Sequence, residues 1–208
     1  LYVKVVDYKT GIKTFSLSDV WYGMGMQMLI YLFALQKLGR QKYGMEVVPA
    51  GVLYAPAREV ILSQSRNISP EELKKERIKS MRRTGLLLDD GEVLAAMERG
   101  EEIKYLPLKI TKDGKYAGDS IASLEQLGIL TRHIDKTLAS MGREILNGDI
   151  VTDPYFKNQV DNACRYCDFY HVCHYDEKEE QNPRWLKKLT TPEVWKLMEE
   201  EVRSDGET

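Results

Sequence analysis

Leu1 to Tyr8 is a mostly apolar run with alternating character, and it predicts a β-strand. Gly11–Lys13 reads as a turn and Phe15–Leu17 as a short extended piece. Apolar positions then recur at helical spacing from Ser18, a residue able to cap a helix, to about Leu38, with Gly39 as the stop. The apolar run Val47–Tyr54, bounded by Gly44 and Pro56, predicts a buried strand whose side chains serve as core. Ser69-Pro70-Glu71-Glu72 opens a helix predicted over Glu71–Thr84, with proline at its first position and acids in its first turn. Gly85–Leu88 and a turn at Asp89-Asp90-Gly91 lead to a short helix near Val93–Met97. Asp113-Gly114, between Lys104–Ile110 and Tyr116 onward, is a hairpin signal. Ser123–Asn147 predicts a long helix with Leu124, Leu127, Leu130, Ile134, Leu138, Met141 and Ile145 on one face, closed by Gly148. His133 lies in that row and is expected to be structural. Asp149–Tyr155 reads as extended, Asp176–Asn182 as a linker, Pro192–Val202 as a short helix and Ser204–Thr208 as a frayed end.

The first predicted strand carries the candidate chemistry. Asp7 and Lys9 are two apart, so their side chains share a face. A carboxylate beside an ammonium at a strand end is the usual start of a magnesium-dependent phosphodiester-cleaving site. The carboxylate holds the metal, and the lysine orients or activates the attacking water. D-x-K alone is common. On the following helix Gln27 and Tyr31 are four apart and share a face. They are the polar members of the apolar stretch Met24 to Leu35, so Gln27 is expected to be buried. A buried unpaired amide costs about 1–3 kcal/mol. Gln27 is therefore expected to bond a catalytic group or a nucleic-acid backbone.

The three cysteines fall within ten residues, as Cys164-x-x-Cys167 and then Cys173. A C-x-x-C turn can place two thiolates on one metal, and a third close by makes a site that is one ligand short of four. Zinc with His171 or His174 as fourth ligand fits the spacing, and so do three thiols without metal. A disulfide framework does not fit an odd cysteine count in a chain without a secretion signal.

These residues together resemble a known family. D-x-K-T-G, then Tyr22-Gly23 through Gln27 to Tyr31, is similar to the RecB-like branch of the PD-(D/E)XK nuclease superfamily. Val5-Val6-Asp7-Tyr8-Lys9, the Tyr22–Tyr31 stretch, Pro49-Ala50-Gly51-Val52-Leu53-Tyr54, Gly148-Asp149-Ile150 with Pro154-Tyr155, and the cysteine cluster resemble the C-terminal nuclease domain of AddB-type subunits of the AddAB helicase/deoxyribonucleases. The resemblance covers most of residues 1–190. It implies an α/β fold of restriction-endonuclease type, a mixed sheet flanked by helices with a C-terminal cysteine-cluster tail. The implied division is a nuclease core over 1–160, with an insertion around 60–120, and a cysteine segment and tail over 161–208.

The same resemblance implies roles. Asp7 and the main-chain carbonyl of Tyr8 would hold Mg²⁺, Lys9 would stabilise developing charge, and Gln27 and Tyr31 would position Lys9 or the DNA strand. Cys164, Cys167 and Cys173 would be three ligands of a four-iron four-sulfur cluster. The implied substrate is single-stranded DNA, and the implied partner an AddA-type helicase–nuclease subunit. Family members also carry a metal-binding acid on a preceding strand and a fourth cluster cysteine far upstream. The sequence begins at Leu1 without methionine, so it reads as an excised fragment lacking both. Alone it is expected to be weak or inactive as a nuclease. Other readings are a stand-alone RecB-like iron–sulfur exonuclease of CRISPR adaptation, a nuclease-dead DNA-binding or structural module, and a zinc-stapled interaction domain. The AddB-like wording at 49–54 and 148–155 disfavours the first, and intact Asp7, Lys9, Gln27 and Tyr31 the second.

Bulk properties narrow this little. The 208 residues carry 30 basic and 32 acidic side chains, a net charge of −2, so no global field draws DNA. Local basic surface would be needed. Lys74, Lys75, Arg77, Lys79, Arg82 and Arg83 offer one. They read either as a solvated helix face or as an edge guiding single-stranded DNA by its phosphates. No apolar run reaches the roughly 18 residues of a membrane span, and the default compartment is the cytoplasm. No glycine-rich phosphate loop is present, so this piece has no ATP site of its own.

Overall fold

The computed structural model describes residues 1–58, 62, 67–99, 103–173, 175 and 183–206. In chain order its elements begin with β1 (Tyr2–Lys9), α1 (Leu17–Trp21), α2 (Gln27–Tyr43), β2 (Val48–Pro56), α3 (Pro70–Ser80), β3 (Thr84–Leu88) and α4 (Gly91–Met97). There follow β4 (Lys109–Ile110), β5 (Tyr116–Ala117), β6 (Ile121–Ala122), α5 (Leu124–Leu146), β7 (Tyr155–Phe156), α6 (Tyr170–Cys173), β8 (Arg184–Trp185) and α7 (Thr191–Gly206). The expected α/β architecture is present, a mixed four-stranded sheet in the order β1-β2-β3-β6 flanked by helices. β1 and β2 are parallel, β2 and β3 antiparallel, and β3 and β6 parallel. The hairpin expected around Asp113-Gly114 forms as β4 and β5.

Strand alternation divides the core between the two sheet faces. Val5, Val52 and Leu86 lie on the face covered by α1, α2, α5 and α7. Val6, Leu53 and Leu87 lie on the other, against Leu94, Leu106 and Leu108. Arg82 serves this second layer: its guanidinium donates to the carbonyls of Leu106 (3.1 Å) and Leu108 (2.7 Å). One of the six candidate phosphate-binding cations is thus committed to holding a loop.

Several boundaries move. The single helix predicted from Ser18 to Leu38 is two helices. Ser16, not Ser18, caps α1, accepting from the Asp19 N–H at 3.1 Å. Gly23 and Gly25 then take φ of 79° and 67°, a left-handed backbone that breaks the helix before α2 starts. Buried Ser18 instead accepts from the Leu189 N–H. Gly39 does not stop α2: its missing Cβ lets Val47 pack close, and the helix runs on to Gly44. Thr84 opens β3 rather than closing α3, which ends at Ser80.

α5 begins where predicted, with Ser123 and Gln126 capping each other. Only part of its apolar row is covered: Leu127, Leu130 and Ile134 are buried, whereas Leu124 is 56% and Ile145 77% exposed. α7 is longer than predicted and contributes Val194, Trp195 and Met198 to the main core. His133 is structural as expected. Its ring stacks on Trp21 at 4.9 Å, and its Nδ1 lies 2.7 Å from Glu201 Oε2 on α7. The predicted linker Asp176–Asn182 lies outside the described residues. None of the described helices is long and apolar enough to cross a membrane.

Candidate active site

Asp7 and Lys9 form the centre of the candidate site. The Lys9 ammonium donates to Asp7 Oδ2 at 2.8 Å, and the two side chains keep 39% and 30% of their exposure. The bond to Asp7 raises the Lys9 pKa, against a smaller opposing effect of desolvation. Lys9 therefore stays charged at any physiological pH. That suits a fixed positive charge beside a reacting phosphate and does not suit a proton acceptor.

Topology brings the first turns of α2 to this end of the sheet. β1 and β2 are parallel, so the intervening helices run back along the strands. Gln27 at the start of α2 thus lies at the end of β1 that carries Asp7 and Lys9. The structure corrects its expected burial. Gln27 is exposed rather than buried, and its Nε2 donates to the Tyr31 hydroxyl at 3.0 Å. Tyr31 is itself 53% exposed. Neither bonds Lys9. The apolar neighbours Met28, Leu29, Leu32 and Phe33 turn inward, and the polar pair takes the solvent face. Tyr22, at the head of the same motif, donates to the Lys187 carbonyl at 3.0 Å and fastens the C-terminal segment to α1. Lys157 does likewise through a 2.8 Å ion pair with Asp19.

Three further residues enter the site through strand pairing. Asp7 lies opposite Tyr54 on β2, and Tyr54 opposite Thr84 on β3. The Tyr54 ring sits beneath two ammonium groups, Lys9 at 5.9 Å and Lys13 at 6.0 Å from its centroid. The Thr84 hydroxyl donates to the Lys13 carbonyl at 3.0 Å and holds that turn over the strand. Burial pushes the Tyr54 phenol above its ordinary pKa, opposed by the charge of Lys9. The apolar run 47–54 reads as core, which Tyr54 also is. The register that sets it beside Asp7 is a property of strand pairing and is not written in either strand.

The fit of a hard divalent cation can be judged from the donors. Magnesium takes oxygens, often one or two carboxylates completed by water and substrate phosphate. Asp7 supplies a carboxylate. The Lys9 carbonyl accepts from the Ala57 N–H, toward β2. Main-chain groups alternate in direction along a strand, so the Tyr8 carbonyl faces the open edge. Asp7 and Tyr8 thus offer two adjacent hard donors, which fits.

The cysteines are a different case. None is in a disulfide; Cys164 is partly buried, and Cys167 and Cys173 are exposed. Among the described residues no three histidine, cysteine or acidic side chains converge on a common point able to hold a metal. His171 does not complete a zinc site in this arrangement, and His174 lies outside the described residues.

Comparison with known proteins agrees with this geometry. A model of the PD-(D/E)XK nuclease superfamily matches residues 2–174. The chain is 35% identical over 210 residues to an ATP-dependent helicase/deoxyribonuclease subunit of Clostridium acetobutylicum. It is 37% identical over 209 residues to the same subunit of Clostridium novyi and 33% identical over 210 residues to that of Thermoanaerobacter sp. strain X514. Each alignment covers 99% of this chain but 18% of the relative, so the chain spans less than a fifth of those proteins. With the family match over most of its length and a partly exposed Asp7–Lys9 pair at a strand end, the chain belongs to the PD-(D/E)XK nuclease superfamily.

Proposed function

We propose that this chain is the DNA-cleaving domain of one component of a helicase-linked nuclease, hydrolysing phosphodiester bonds of single-stranded DNA with Mg²⁺. The observation that carries the reading is the Asp7–Lys9 pair, two charged groups that meet at 2.8 Å at a strand end and stay partly open to solvent. The names of the relatives support a helicase-linked enzyme over a stand-alone exonuclease. The corresponding partner is an AddA-type helicase–nuclease subunit, and the compartment is the cytoplasm.

Asp7 and the Tyr8 carbonyl would be the protein ligands of the metal. Magnesium at such a site polarises the phosphate and acidifies a bound water. Lys9 would offer its ammonium to the charge that builds on the phosphate oxygens. Gln27 and Tyr31, bonded to each other and open to solvent, position the strand rather than Lys9. The lysines of α3 that are exposed (Lys74, Lys75 and Lys79) would contact its phosphates by charge. Cys164, Cys167 and Cys173 are proposed as three ligands of a four-iron four-sulfur cluster in the intact protein. Close spacing and the resemblance support this, and iron and sulfide analysis of anaerobically purified full-length protein tests it.

The deciding experiment is Mg²⁺-dependent degradation of end-labelled single-stranded DNA by the full-length protein with its helicase partner. One class of cleavage product is expected to vanish in Asp7→Ala. Unchanged products would overturn the assignment.

A further inference from the structure

Tyr54 is 7% exposed, and a buried tyrosine hydroxyl ordinarily bonds a protein acceptor. This one has no such partner among the described residues, nor is it among their polar atoms sealed from solvent without a bond. The ring is therefore packed while the hydroxyl opens outward, in the row that contains Asp7. Two ammonium groups, those of Lys9 and Lys13, converge on that ring from solvent. Only one is neutralised: Asp7 pairs with Lys9, and Lys13 has no ion pair among the described residues. The Thr84 hydroxyl holds the Lys13 backbone in place. The result is a cluster with one excess positive charge and one unspent hydroxyl donor, the complement of an anionic oxygen.

We propose that the Tyr54 hydroxyl and the Lys13 ammonium form a second clamp on the DNA backbone, binding non-bridging phosphate oxygens beside the Asp7–Lys9 pair. This deepens the nuclease reading and rests on it. Tyr54 donates to the phosphate under attack, where a positioned donor gains strength as charge develops. Lys13, exposed at the rim, holds an adjacent phosphate by charge.

The test compares Tyr54→Phe, Lys13→Gln and Asp7→Ala in the full-length protein with its helicase partner, on single-stranded DNA with Mg²⁺. Tyr54→Phe keeps the ring and its cation contacts. It is expected to lower kcat about 100-fold with KM and thermal midpoint unchanged. Lys13→Gln is expected to raise KM and to reduce the salt dependence of DNA binding by about one phosphate contact, roughly 0.7 in the log–log slope. Wild-type kcat in Tyr54→Phe, with Asp7→Ala inactive, overturns the role of the hydroxyl and leaves the nuclease reading standing. An unchanged KM and salt slope in Lys13→Gln overturns the clamp's second half. Retained cleavage in Asp7→Ala overturns the nuclease reading itself, whatever the other variants do.

Discussion

Two carboxylate–base contacts of nearly equal length occupy opposite kinds of environment. Glu201 Oε2 lies 2.7 Å from His133 Nδ1, where α5, α7 and the stacked ring of Trp21 meet and His133 is 4% exposed. Asp7 Oδ2 lies 2.8 Å from Lys9 Nζ at an open strand end. The first pair ties elements together and is closed to any substrate. The second ties nothing together and faces solvent. Contact geometry is the same in both; accessibility separates a fold-holding pair from one that a ligand can reach. Even the unsatisfied Nε2 of His133 belongs to the first kind, because it is sealed from solvent.

That contrast can be broken most directly at the open pair. Asp7→Ala or Lys9→Ala should abolish cleavage by this domain in the full-length protein while moving the thermal midpoint little, since exposed ion pairs add little to stability. Loss of folding in either variant would erase the distinction. The converse variant, His133→Ala, should cost about 2–4 kcal/mol, through a cavity beside Trp21 and the lost bond to Glu201, which keeps its 3.3 Å contact with Lys136. Denaturant unfolding measures this, and cleavage per folded molecule should remain at the wild-type level.

A third carboxylate sharpens the comparison, because it is neither buried nor reactive. The Thr190 N–H and hydroxyl bond Glu193 at the start of α7 and hold its carboxyl below the usual range. A depressed folded-state pKa contributes stability that is present above the unfolded value of about 4.3 and is lost as pH falls through the folded value. Glu193→Gln should lose that increment at neutral pH, flatten the acid limb in a melting series from about pH 5 to pH 3, and leave stability at the acid end nearly unchanged. The smallest effect is expected where apolar residues lack neighbours. Replacing both Ile145 (77% exposed) and Leu146 (86% exposed) by serine should change stability by no more than about 0.5 kcal/mol.

Much of the frame is legible in local pattern. The alternation around Asp7, the apolar run of β2, the capping box at Ser123 and the hairpin glycine at 114 each act over a few residues, and each reappears as its element. Gln27 shows where such reading stops. An apolar stretch surrounds it in sequence, yet a helix shows its residues to opposite sides, and Gln27 falls on the wet side. The helix break at Gly23 and Gly25 was open to inference, since two glycines so close favour a left-handed turn; the apolar periodicity running across them concealed it. The outer half of α5 carries the same periodicity as its buried half, because periodicity specifies a face and says nothing of what covers it.

The amino-acid sequence by itself determined the Asp7–Lys9 pair, since two residues apart on a strand place both groups on one face without help from the rest of the chain. It likewise determined the family, through motifs read in order along one dimension. Only the tertiary structure decided that Tyr54 and Thr84 align with Asp7, that Lys13 bends over the same ring, and that His133 meets Glu201. Those contacts join residues tens of positions apart. Strand register and helix packing choose such partners by the best burial available to the whole chain, and no short segment carries that information.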